Sequence, residues 1–166
     1  MRFVEWDAPT ARTRTVSELR PILLVEDSPK DAELTIMALR QCNLLNEVIH
    51  VRDGQAALDY LRREGAHVDI ATDGPVVMLL DLKLPKLNGL EVLAEVRADA
   101  NLRSIPVVML TSSNEESDLV RSYEQGVNAF VVKPVDFKEF LQAVQNLGMF
   151  WGLTNQPPKW VGRTPG

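Results

Sequence analysis

The feature that most constrains this chain is a series of five short apolar runs, each cut off by a polar residue and each followed by a stretch of helical period. The first run is Ile22-Leu23-Leu24-Val25, which stops at Glu26-Asp27. Four or five apolar residues in a row, bounded by turn formers, predict a strand buried on both faces. Further strands are expected over residues 47–51 (interrupted by His50), 76–80 (ending on Asp81), 106–110 (ending on Thr111) and 129–132 (ending on Lys133-Pro134). In the first helix Ser28 stands as N-cap, Pro29 takes the first helical position, and Asp31 is expected to reach back to the cap; the helix runs to about residue 40. Asp53 caps a second helix carrying Ala56, Ala57, Tyr60 and Leu61, and Asn88 caps a third carrying Leu90, Leu93 and Val96. A fourth runs from about residue 114 to 125 and is stopped by Gly126. The last starts near Asp136 and places Phe137, Phe140, Leu141 and Val144 on one stripe.

Strands alternating with helices predict an α/β fold, a doubly wound five-stranded parallel sheet with helices on both faces. Right-handed crossovers leave few topologies, and the flavodoxin-like order 2-1-3-4-5 suits this element count. Its ligand crevice lies at the carboxyl ends of strands 1 and 3. A chain of 166 residues fits one domain with modest extensions. The domain is expected over 21–150, with a mobile N-terminal arm at 1–20 and a tail at 151–166 that carries Trp151 and Trp160. The arm has four Arg but also Glu5, Asp7 and Glu18, and no apolar stretch follows, so it does not read as a secretion signal. The net charge of −5 gives no basic excess for nucleic acid or an anionic membrane surface. Cys42 is the single cysteine, so an internal disulfide or CxxC pair is excluded. The longest apolar run, residues 76–80, is far too short to span a bilayer. A cytoplasmic protein is expected.

The strand ends carry the chemistry. Glu26 and Asp27, Asp81, Thr111 and Lys133 should all meet on one rim of the sheet. Alone, any one of them would be an ordinary turn or cap residue; the set is what points to function. Three carboxylates held close raise one another's pKa unless a cation neutralises them. Mg²⁺ suits the task, because it takes one or two carboxylates, keeps several waters and leaves room for a phosphate oxygen. Lys133 adds a second positive charge and Thr111 a hydroxyl donor. Such a site positions and neutralises a phosphoryl group. Asp81, the most central carboxylate, can act as the nucleophile and become an aspartyl phosphate.

The segments ILLVEDS (22–28), LLDLKLPKLNGLEVL (79–93), PVVMLTSS (106–113) and AFVVKP (129–134) resemble the receiver domain of two-component response regulators, over about residues 21–150. The resemblance implies that Asp81 accepts a phosphoryl group from a phosphohistidine on a sensor histidine kinase. It implies that Glu26 (through a water), Asp27, Asp81 and the backbone carbonyl of Lys83 hold Mg²⁺. Lys133 would pair with the phosphoryl group, Thr111 would hydrogen-bond it, and Phe130 matches the aromatic that turns inward as the threonine moves, although it lacks a hydroxyl. The Glu-Asp pair replaces the commoner Asp-Asp, Leu84 stands where Met is common, and Ser112 is small enough to leave the pocket open. Lys83 is the notable departure, a long cation two residues past the phosphoacceptor. LLNEVIHVRDGQAALDYL (44–61) and NLGMFWGLTNQPP (146–158) resemble the single-domain regulators paired with bacterial phytochromes.

The expectation is therefore a stand-alone regulator that signals by phosphorylation-dependent protein contact or by relay to a downstream phosphotransfer protein. Its only chemistry would be Mg²⁺-dependent self-phosphorylation and autodephosphorylation. The sixteen residues after Phe150 carry no helix-turn-helix pattern. A haloacid-dehalogenase-type phosphatase needs Asp-x-Asp, whereas Asp81 is followed by Leu82 and Lys83; a nucleotide or flavin module needs a Gly-rich turn where Pro29 and Asp31 stand. His50, His67, Cys42 and the Arg62-Arg63 pair read as ordinary structural or solvated residues. The fourth helix has only Leu119, Val120 and Tyr123 as apolar residues, leaving an outer face that can dock a partner. The apolar stretch Gly148-Met149-Phe150-Trp151 predicts a homodimer built from the fourth and fifth helices, the fifth strand and residues 147–160.

Overall fold

A four-residue strand with no polar side chain has to be covered on both faces, and β1 (Ile22–Val25) is buried at every position. The same holds for β3 (Val77–Leu80) and β4 (Val107–Thr111). The computed structural model describes residues 19–41, 44–67, 74–112 and 116–133, together with positions 138, 139, 142, 143, 145 and 146, which are helical. The remaining described elements are α1 (Pro29–Gln41), β2 (Val48–Val51), α2 (Gly54–Arg62), a single 3₁₀ turn at Gly65–His67, α3 (Gly89–Ala98), α4 (Glu116–Glu124) and β5 (Ala129–Val132).

The five strands form one sheet in the order β2-β1-β3-β4-β5, and every pairing is parallel. This is the predicted doubly wound arrangement. Alternate strand residues feed two separate cores. Leu23, Val25, Met78, Leu80, Val107 and Met109 pack with Leu58, Leu61, Leu93 and Val96 of α2 and α3. Ile22, Leu24, Val77, Leu79, Val108 and Leu110 face the other way, with Ala32, Ala38 and Leu39 of α1. Each fully buried Leu, Ile, Val or Met contributes roughly 1.5–3 kcal/mol of transfer free energy, so the central strands are the least adjustable part of the molecule.

Element bounds follow the sequence closely. β2, β3 and β4 each start one residue later than predicted, and β4 runs through Thr111 instead of ending before it. The first-turn expectation for Asp31 is corrected. The Ser28 hydroxyl does accept from the Asp31 amide (3.3 Å), but the Ser28 amide donates to Glu26 Oε1 (3.0 Å). The Asp31 carboxylate turns instead to the sheet rim. Arg62 and Arg63 are also more than a solvated face: Arg62 ties α2 to α3 through Glu95 (2.8 Å), and Arg63 closes α2 in the left-handed conformation. In α4 the apolar Leu119, Val120 and Tyr123 are exposed while Ser122 is fully buried. Of the expected N-terminal arm, residues 1–18 lie outside the described residues, but Arg20 donates to the carbonyls of Gly74 (3.0 Å) and Pro75 (2.6 Å). Cys42, the core stripe of the last helix, residues 147–150 and the tail at 151–166 also lie outside them.

Candidate functional site

Strand register builds the site. Val25 pairs with Leu80 on one side and Val51 on the other, so the residues after each strand end arrive side by side. The ladder continues one step past β1 and β3: the Asp81 amide donates to the Val25 carbonyl (3.0 Å) and the Glu26 amide to the Val51 carbonyl (3.1 Å). Across the sheet, Thr111 pairs with Val132, and the Lys133 amide donates to the Thr111 carbonyl (2.6 Å). Glu26, Asp27, Asp81, Thr111 and Lys133 therefore share the carboxyl edge, as the sequence predicts.

The Lys133 ammonium is the hub. It donates to Glu26 Oε2, to Asp31 Oδ2 (3.1 Å) and, more distantly, to Asp81 Oδ2 (3.5 Å). Glu26 is 2% exposed, Asp81 8% and Thr111 fully buried, whereas Asp27 is exposed. The Asp81 carboxylate is oriented through Oδ1, which accepts from the Leu82 amide (2.7 Å). Phe130 is half-buried against the α2/α3 core, and the Lys83 side chain is exposed.

Charge in this pocket does not balance. Burial pushes the Glu26 carboxyl up from its ordinary value; the Lys133 hydrogen bond and charge pull the other way without cancelling it, and Asp81 adds to the rise. Burial works against the Lys133 ammonium too, yet the combined pull of Glu26, Asp81 and Asp31 raises it above its ordinary value. One ammonium thus stays charged among four carboxylates, those of Glu26, Asp27, Asp31 and Asp81, and the surplus is negative. Oxygens of Glu26, Asp27 and Asp81 all lie within 4.8 Å of one another. Hard oxygen donors that close can converge on one divalent cation at about 2.0–2.6 Å each, so the residues present fit such an ion.

The backbone around Asp81 is braced from behind. The Gly89 amide, at the start of α3, donates to the Leu82 carbonyl (2.8 Å). A Cβ on Gly89 would fall 2.4 Å from the Asp81 carbonyl oxygen, so only glycine lets the helix approach this closely. Asn88 and Glu91 form a reciprocal capping box that fixes where α3 begins.

Two residues at the rim have roles other than those the sequence suggests, a helix cap for Asp31 and an ordinary strand position for His50. Asp31 sits where a cap residue was expected, and only the position of α1 over the rim marks it as a partner of Lys133. His50, on β2, bonds the Glu26 carbonyl through Nε2 (2.8 Å); a strand neighbour of β1 was the only available hint.

Fold and site define an open α/β domain with a carboxylate and lysine pocket at the switch point of its sheet. Residues 22–145 match the response regulator receiver domain. The chain belongs to that family. It is 42% identical over 130 residues to response regulator Rcp1 of Synechocystis sp., spanning 78% of this chain and 87% of the relative. The crystal structure of Mn²⁺-bound Rcp1 superposes with a TM-score of 0.78 at 40% identity, covering 84% of this chain and 99% of that one. The phosphorylated cyanobacterial phytochrome response regulator RcpA gives 0.79 at 40% identity, with 85% and 99% covered. The bacteriophytochrome response regulator RtBRR is 64% identical, with a TM-score of 0.69 and 84% of each chain covered. Among the described residues, no helix is long and apolar enough to cross a membrane.

Proposed function

We propose that this chain is a phosphorylation-dependent regulator in which Asp81 is the phosphoacceptor. The observation that carries the reading is the convergence of Glu26, Asp27, Asp81, Thr111 and Lys133 on the rim where β1 and β3 end. In the transfer, an Asp81 carboxylate oxygen attacks the phosphorus of a phosphohistidine. The new O–P bond forms as the N–P bond breaks, and the departing imidazole keeps the electron pair. Lys133, already 3.5 Å from Asp81 Oδ2, exchanges a carboxylate for a phosphoryl oxygen, and the Thr111 hydroxyl donates to another. Glu26, Asp27, Asp81 and the Lys83 carbonyl are the residues that would hold Mg²⁺, which supplies neutralisation of the phosphoryl oxygens when bound. Phe130 would answer a movement of Thr111 by turning inward. Autodephosphorylation follows by attack of water on the same phosphorus, with Asp81 leaving as carboxylate.

The relatives named as phytochrome and bacteriophytochrome response regulators support a phytochrome-type sensor histidine kinase as donor. The proposal places this exchange in the cytoplasm, with a downstream phosphotransfer protein as one outlet. Leu119, Val120 and Tyr123 on α4 and Val132 on β5, all exposed, support a homodimer that uses this side of the sheet. The test is incubation with a small acyl phosphate donor. Wild type should gain one phosphoryl group in the presence of Mg²⁺ and none after chelation, and Asp81→Asn should gain none. Normal labelling of Asp81→Asn would overturn the assignment.

A further inference from the structure

β2 and β3 are not neighbours, because β1 lies between them, so no strand ladder couples the turn after β2 to the loop after β3. Side chains make that connection instead. Lys86 Nζ, in the loop between β3 and α3, lies 2.7 Å from Asp53 Oδ2, at the start of α2. Asp53 divides its carboxylate between two tasks, since its other oxygen accepts from the Ala56 amide (2.8 Å) and caps α2. Next to this pair the two segments touch through their backbones: a Cβ on Gly54 would fall 2.3 Å from the Leu87 carbonyl oxygen. Lys86 itself is held at φ 66, in the left-handed region that a lysine rarely adopts.

We infer that the Asp53–Lys86 pair is a positioning latch that presets the loop carrying the Lys83 carbonyl for the divalent cation. The inference rests on the metal site proposed above. Between Asp81 and α3 the loop is pinned twice, at Leu82 by the Gly89 amide and at Lys86-Leu87 by the start of α2. Lys83 lies between the pins, followed by Leu84 and Pro85, so its carbonyl has little freedom left. Mg²⁺ demands near-octahedral geometry, so a ligand already in place matters more for it than for a larger cation. The Lys86 side chain is 63% exposed while that of Asp53 is 17% exposed, and an ion pair whose cation stands in solvent contributes little to global stability. The latch should therefore act on metal affinity far more than on folding. Lys86 and Asp53 are positioning residues; neither belongs to the proposed ligand set.

The experiment measures Mn²⁺ binding directly on the full chain, by electron paramagnetic resonance of the free ion, with urea midpoints recorded in parallel. Asp53→Asn keeps an oxygen for the α2 cap but loses the charge. Lys86→Gly removes the ammonium while suiting the left-handed backbone. Each should weaken Mn²⁺ binding, by roughly tenfold if the latch behaves like other outer partners of a metal site. The double variant should be no weaker than the worse single, because the two act as one unit, and Lys86→Arg should bind like wild type. Singles that match wild type, or losses that add in the double variant, would overturn the latch while leaving the metal site intact. A wild type that binds no Mn²⁺ would overturn the metal site, and the latch with it.

Discussion

Removing the hub ammonium should expose how far the pocket depends on it. In Lys133→Met, Glu26 keeps its burial and its Ser28 contact but loses the cation at Oε2. Leaving that charge bare at 2% exposure is costly, so the carboxyl takes up a proton instead. Protonating a group of ordinary value 4.5 at pH 7 costs about 1.36 kcal/mol per unit, or roughly 3.4 kcal/mol in all. That sum is a ceiling, because burial already holds Glu26 above 4.5 in wild type. At pH 5 the same calculation leaves about 0.7 kcal/mol. A carboxyl raised in the folded state binds protons more tightly there than in the unfolded chain. Stability is therefore retained below 4.5 and lost as pH rises through the folded value. The expected outcome is a deficit against wild type that shrinks by up to about 1.4 kcal/mol per pH unit on acidification from pH 7. Mg²⁺ should restore more stability to the variant than to wild type, because it replaces the missing positive charge. Urea titrations from pH 5 to pH 8, with chelator and with Mg²⁺, read both effects. A deficit independent of pH would refute the idea that a buried carboxylate depends on Lys133.

Three further outcomes follow. Gly89→Ala should destabilise the chain by about 1–3 kcal/mol and slow phosphoryl uptake, because the new Cβ meets the Asp81 backbone at 2.4 Å and neither segment can yield cheaply; urea midpoints and uptake kinetics both unchanged would contradict the brace. Asp27→Asn removes an exposed member of the carboxylate cluster, so metal-free stability should hold or rise while Mg²⁺ affinity falls; a marked loss of metal-free stability would make Asp27 a structural residue instead. Wild type should scatter light as a dimer, and Tyr123→Glu, which puts a charge on the exposed face of α4, should shift it to monomer; a wild-type monomer would exclude self-association through this face.

Strand order and the five rim residues could be read from the sequence because the runs of the first, third, fourth and fifth strands are continuously apolar and end abruptly on polar side chains. Right-handed crossovers then leave few topologies for five such strands. Asp31 could not be placed the same way. A serine three residues before an acidic residue predicts a capping box, and only the position of Lys133, 102 residues away, draws the carboxylate outward. The Asp53–Lys86 pair escaped for a related reason. Its members lie 33 residues apart in two loops, and neither the left-handed Lys86 nor the Gly54–Leu87 approach leaves a mark on periodicity. In α4 the few apolar residues suggested an exposed helix, but not that those apolar residues would themselves be the exposed ones; burial of Ser122 depends on how the helix lies against the sheet.

The central claim is that one carboxylate among several takes the phosphoryl group, and site mapping tests it most directly. Wild type, phosphorylated by a small donor with Mg²⁺, would be reduced with borohydride, which converts an aspartyl phosphate to homoserine, then digested and sequenced by mass spectrometry. Asp81 should be the single modified position, with Glu26, Asp27 and Asp31 intact. Homoserine at Asp27 or Asp31, or phosphate recovered on a hydroxyl such as Thr111 with Asp81 unmodified, would contradict it.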